Sequence, residues 1–114
     1  MKVGVIGCGF FAQNHLHAWR DIDGVDVVAL CDNDQSNLFA TGKEFKIERQ
    51  FTDAVDLFDY GEFDIVDIAT TAPSHRSLVE MAAQNTKHII CQKPFAESIT
   101  DARAMVSAVN ATGK

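Results

Sequence analysis

Short apolar runs alternate with amphipathic stretches from one end of the chain to the other. Lys2–Ile6, Val25–Cys31, Ile47–Phe51, Ile65–Ala69 and His88–Cys91 read as five strands. They are short, rich in β-branched residues and mostly apolar without alternation, which suits parallel strands covered on both faces. Between them apolar positions recur at helical spacing. Ala12, Leu16 and Trp19 mark a first helix, and Leu38, Gly42 and Phe45 a second, capped by Asp34. Val55 and Phe58 mark a short third, with Thr52 as its cap, and Leu78, Met81 and Ala82 a fourth. The last helix starts at Ser98, which forms a capping box with Asp101 in place of Glu. Its Ile99, Ala102, Val106 and Val109 make one stripe expected to pack on the sheet, and Gly113 stands where a C-terminal glycine belongs. Strand–helix alternation with such short connections implies right-handed βαβ units and one parallel sheet, an α/β fold with helices on both faces. Asp67 is the misfit: it interrupts the fourth apolar run, and nothing nearby in the chain accounts for its charge.

Composition narrows the picture. A chain of 114 residues, 46% hydrophobic and 23% charged, is one globular domain with enough apolar surface for a core. Its three cysteines, an odd number without CxxC spacing, argue against a disulfide framework and against zinc. Cys8, Cys31 and Cys91 read as small packing groups in a reduced, cytoplasmic protein. No apolar run is long enough to span a membrane, and too few residues precede Cys8 for a signal peptide. A net charge of −6 argues against nucleic acid and anionic membranes as partners, but leaves room for one local anion site. His15, His17 and His88 read as surface or boundary residues, and no metal site is expected.

The candidate chemistry begins at Gly7-Cys8-Gly9-Phe10-Phe11-Ala12, which reads G-x-G-x-x-A. Two glycines near a turn are common. A strand directly before them and a helix directly after make a phosphate-binding loop. Gly7 permits the tight turn, Gly9 lets backbone approach a pyrophosphate, and Ala12 lets the helix pack closely on the strand. The helix N-terminus offers free N–H groups and partial positive charge. Phe10 and Phe11 either flank the pyrophosphate or pack inward. Asp32 ends the second strand, where a carboxylate accepts hydrogen bonds from the adenosine ribose and repels a 2′-phosphate. No Arg or Lys stands at positions 33–36 to neutralise that phosphate, so the pattern favours NAD over NADP. Another ribose-bearing ligand, such as an S-adenosyl compound, also suits Asp32.

Two further segments follow strands and therefore lie on the same side of the sheet: Thr70-Thr71-Ala72-Pro73-Ser74-His75 and Gln92-Lys93-Pro94-Phe95-Ala96. With VGVIGCGFFAQNHLHAW, VVALCDND, DIVDIATTAPSHRSLVEMA and HIICQKPFAES in that order, the whole chain resembles the amino-terminal half of the Gfo/Idh/MocA oxidoreductases. The resemblance implies a Rossmann-type sheet in the order 3-2-1-4-5 and hydride transfer between NAD and a sugar, polyol or related alcohol. It implies that Thr70 and Thr71 line the nicotinamide half of the site, that Pro73 shapes the loop, and that His75 stands near the cofactor. It makes Lys93 the catalytic residue, touching substrate and nicotinamide ribose and helping proton transfer, with Pro94 following in an unusual turn. Gln92 replaces the family's usual Glu and so loses a charge beside Lys93. Residues 1–114 then form the dinucleotide-binding domain, with the substrate domain outside this chain, in a cytoplasmic homo-oligomer acting on a small molecule. The rival reading is a stand-alone dinucleotide-binding or sensing module without catalysis, which Gln92 favours and the Thr70–His75 and Gln92–Pro94 segments oppose.

Overall fold

A computed structural model of the chain describes residues 1–70, 72–85, 88–91 and 98–112, except the side chains of Phe10, Phe11, Ala72, Pro73 and Thr112. Ten elements alternate along it: β1 (Lys2–Ile6), α1 (Phe10–Arg20), β2 (Asp26–Cys31), α2 (Gln35–Phe45), β3 (Arg49–Phe51), α3 (Ala54–Tyr60), β4 (Ile65–Ile68), α4 (Ala72–Gln84), β5 (His88–Cys91) and α5 (Ile99–Thr112). The strands form one sheet in the order β3-β2-β1-β4-β5, and every pairing is parallel. The alternation predicts the parallel α/β sheet, and the order is the doubly wound Rossmann-type one that the resemblance implies.

The sheet divides the core in two. On one face Val3, Val5 and Leu30 meet Leu16 of α1 and Leu38 of α2. On the other, Ile6, Ala29, Val66 and Ile68 meet Leu57 of α3, Leu78 and Val79 of α4, and Met105 of α5. Successive strand residues point to opposite faces, so β1, apolar almost throughout, serves both layers. Cys8 and Cys31 are buried packing groups, as expected. Among the described residues no His/Cys/Asp/Glu cluster could hold a metal, and no helix is long and apolar enough to cross a membrane.

Several boundaries shift for local reasons. Asp34 caps α2 by accepting from the Asn37 N–H at 3.1 Å. For α3 the cap is Asp53, not Thr52: its carboxylate accepts from the Val55 N–H at 2.9 Å. Thr52, one residue earlier, faces the strand ends instead. Ser98 caps α5 through the Asp101 N–H at 3.1 Å. The return half of that capping box does not form among the described residues; the Asp101 carboxylate accepts instead from Arg76 at 3.0 Å. The buried line of α5 also differs from the predicted stripe. Met105 is fully buried and Val109 packs beside it, whereas Ile99 is 71% and Val106 50% exposed. Ala102, Met105 and Val109 follow each other around the helix at the spacing of one face, and this line turns toward α4 rather than squarely onto the sheet. Gly113 lies outside the described residues.

Candidate functional site

The carboxyl ends of β1 to β4 meet at one rim, held in register by backbone bonds beyond the strands. The Gly7 N–H donates to the Cys31 carbonyl at 2.7 Å, Asp32 N–H to Phe51 at 3.1 Å, and Ala69 N–H to Ile6 at 2.8 Å. Above the rim lies a groove of about 400 Å³. Gly7 from the end of β1 and Asp32 from the end of β2 line it, together with Thr52 and Asp53 after β3 and Thr70 after β4. Here the strand order reverses direction between β1 and β4, the place where doubly wound sheets bind ligands.

The two loop glycines have different duties. Gly7 has φ of +104°, and a Cβ there would stand 2.8 Å from the Ala69 carbonyl oxygen. Only glycine suits both the positive φ and the close passage of β4. Gly9 is the N-cap of α1 in ordinary extended conformation, φ −82° and ψ −164°, with no side-chain cap. A Cβ on Gly9 would meet nothing within 4 Å. The first turn of α1 carries no acidic residue. An uncapped, uncharged helix start with open space before it presents N–H groups and the positive end of the helix dipole to an anion. Ala12 is fully buried beneath this turn.

Asp32 ties the loop to the second strand. Its Oδ2 accepts from the Cys8 N–H and its Oδ1 from the Asp34 N–H, both at 2.8 Å. Each carboxylate oxygen keeps a further acceptor direction, and the residue is half-buried at the groove. Gln13 and Thr41 complete the underside: the Gln13 amide donates to the Cys8 carbonyl at 3.2 Å and to the Thr41 hydroxyl at 3.1 Å. Burial, then the Asp32 carboxylate, pushes the Cys8 thiol up to about 12. Burial likewise pushes the Cys31 thiol up to about 12, with Cys8 and Asp32 adding to the effect. Both thiols are neutral near pH 7, so neither is a nucleophile here.

On the β4 side, Thr70 shares a hydroxyl hydrogen bond with Ser74 in the first turn of α4. His75 is fully buried, and its Nε2–H donates to the Thr70 carbonyl at 2.8 Å. The ring thus braces the turn that carries Thr70 and is not among the groove's lining residues. Thr71, Gln92, Lys93 and Pro94 lie outside the described residues, as do the side chains of Phe10, Phe11 and Pro73. Asn33, Asp53 and Ser77 line the groove without having been singled out from the sequence. Their positions, just past strand ends or one turn into the next helix, were the available signal.

These residues suit a dinucleotide: a helix start for the pyrophosphate, a carboxylate for a ribose and a groove along the strand ends. The profile of the oxidoreductase family with an NAD-binding Rossmann fold, Gfo/Idh/MocA, matches residues 1–114. The chain belongs to that family. It is 60% identical over 98% of its length to D-apiose dehydrogenase of Paraburkholderia graminis, covering 30% of that protein. It is 28% identical along its whole length to inositol 2-dehydrogenase of Salmonella typhimurium, covering 34% of it. A crystal structure of an oxidoreductase from Agrobacterium radiobacter in complex with NAD+, L-tartaric acid and magnesium superposes on 99% of the chain with a TM-score of 0.97. Sequence identity there is 52%, and the chain covers 33% of that protein. The chain therefore spans about a third of the length of these relatives, and within that span it is the NAD-binding domain.

Proposed function

We propose that this domain serves a dehydrogenase that transfers a hydride between NAD and a carbinol carbon of a sugar or polyol. The observation that carries the reading is the groove lined by Gly7 and Asp32, next to the uncapped start of α1 at Gly9. Bound NAD supplies the hydride acceptor. The N–H groups at the start of α1 hold the pyrophosphate, and the free acceptor directions of Asp32 take the ribose hydroxyls. Asp32 repels a 2′-phosphate, and Asp53 in the same groove adds negative charge, so NAD is preferred over NADP. Thr70, with Thr71 beyond it in the chain, lines the nicotinamide half. Lys93, with Pro94 and Gln92 beside it, takes the hydroxyl proton of the substrate as its carbon gives up hydride. Residues 1–114 act as the dinucleotide-binding domain, and most of the substrate-positioning surface belongs to a separate domain.

Two finer features follow. Among the described residues β5 is one of the two sheet edges, and its Ile90 is 42% exposed. An apolar strand edge favours association, which supports a homo-oligomer. The buried thiols of Cys8 and Cys31 suit a reducing compartment, which supports the cytoplasm.

The substrate class is drawn from the likeness to D-apiose dehydrogenase and is tested by turnover. The full-length protein is supplied with NAD and a panel of sugars and polyols headed by D-apiose, and NADH formation is followed by absorbance. NADH should form with D-apiose. A panel that stays silent while NAD binds would instead favour a binding module without catalysis.

A further inference from the structure

We propose that Asp67, His15 and Trp19 form a positioning cluster that sets the phosphate-binding end of α1 against the end of β4. This rests on the groove being the NAD site. Asp67 lies inside the sheet, between Val5 of β1 and Ile90 of β5, and is 1% exposed. A carboxylate buried this deeply is costly unless its oxygens are satisfied. Covered parallel strands normally carry apolar residues at such positions.

Both donors recorded for Asp67 among the described residues come from α1, one turn apart. The Nδ1–H of His15 lies 2.9 Å from each carboxylate oxygen, and the Trp19 Nε1–H donates to Oδ2 at 2.8 Å. A carboxylate accepts only, so the His15 proton toward Asp67 is on Nδ1. His15 is therefore a boundary residue with a task, unlike His17, which is exposed beside Arg20 and Glu44.

Apolar packing through Ala12 and Leu16 holds α1 on the sheet but is not directional. Two hydrogen bonds from adjacent turns to one fixed carboxylate set both the rotation of the helix and its position along its axis. α1 is the helix whose uncapped start follows the Gly7 turn at the groove, and the loop before it is tied to Asp32 through the Cys8 N–H. The strand it is pinned to is the one whose end passes Gly7 at Ala69 and continues into Thr70. The cluster thereby sets the width of the site between the phosphate loop and the β4 wall.

The test separates loop positioning from general loosening by using a ligand with phosphates and one without. NAD is titrated by calorimetry and adenosine by NMR shift, against wild type, Asp67→Leu, Asp67→Asn and Trp19→Phe. Asp67→Leu should bind NAD roughly tenfold more weakly, about 1.4 kcal/mol, with adenosine affinity unchanged. Asp67→Asn, which keeps one oxygen acceptor, should recover part of the loss. Should Asp67→Leu fail to fold, Trp19→Phe carries the test, because it removes one N–H and keeps the packing; it should weaken NAD and spare adenosine. Unchanged NAD affinity in the folded variants, or equal losses for NAD and adenosine, would overturn the proposal. A wild-type protein that does not bind NAD would overturn the cofactor reading and this proposal with it.

Discussion

Replacing Lys93 by alanine should lower turnover by about 10² to 10⁴, the usual contribution of a positioned acid–base group. Cofactor affinity should stay within about threefold of wild type, because the proposed phosphate site is elsewhere, at the start of α1. On the proposed reading the two effects separate because the lysine would act on the proton that leaves the substrate hydroxyl, an interaction that strengthens as the bond breaks. Steady-state kinetics with NAD and the sugar substrate, together with a direct NAD titration, check this. Normal turnover with lost NAD binding would remove Lys93 from its role and make it a cofactor-holding residue.

The second large effect separates the two loop glycines. Gly7→Ala places a Cβ 2.8 Å from the Ala69 carbonyl oxygen, at φ +104°. Strain at such a position costs about 1–3 kcal/mol, and more if β4 must move. In a domain near 100 residues each 1 kcal/mol lowers the melting temperature by roughly 4–8 °C. Gly9→Asp should behave in the opposite way. The N-cap of α1 has φ −82° and ψ −164°, and there is open space beyond it. Aspartate is a preferred N-cap residue and its charge suits the helix dipole, so the melting temperature should hold or rise. The same carboxylate would occupy the anion site and repel a pyrophosphate, with a loss of NAD affinity on the order of 100-fold. Thermal denaturation with NAD titration checks both variants. A Gly9→Asp protein that is stable and still binds NAD normally would move the phosphates away from α1.

The parallel sheet and the position of the groove at its strand ends are legible in the chain because they follow from local signals, whereas the order β3-β2-β1-β4-β5 is legible only through the family resemblance. Non-alternating β-branched runs mark parallel strands, short connections enforce right-handed crossovers, and the end of each strand then delivers Gly7, Asp32 and Thr70 to one rim. What is not legible depends on long-range pairing. The partners of Asp67 are 52 and 48 residues away in sequence, and only the placement of α1 over β4 joins them. The cap of α3 shows a smaller failure of the same kind. Thr52 and Asp53 are both good caps by residue type, and the choice depends on where β3 stops. On α5, Met105 takes the buried line because that helix leans on α4, a contact that helical periodicity alone does not indicate. His75 is polar in sequence and fully buried in the fold, because its ring has the Thr70 carbonyl as a partner.

We propose that Asp32, beside the start of α1, makes this groove an NAD site. The most direct test is a titration of the purified protein with NAD and with NADP under identical salt. Like charges at close approach near a protein surface repel by a few kcal/mol. NAD should therefore bind more tightly by on the order of 100-fold; equal or tighter binding of NADP would rule Asp32 out as the ribose-binding, NAD-selecting residue.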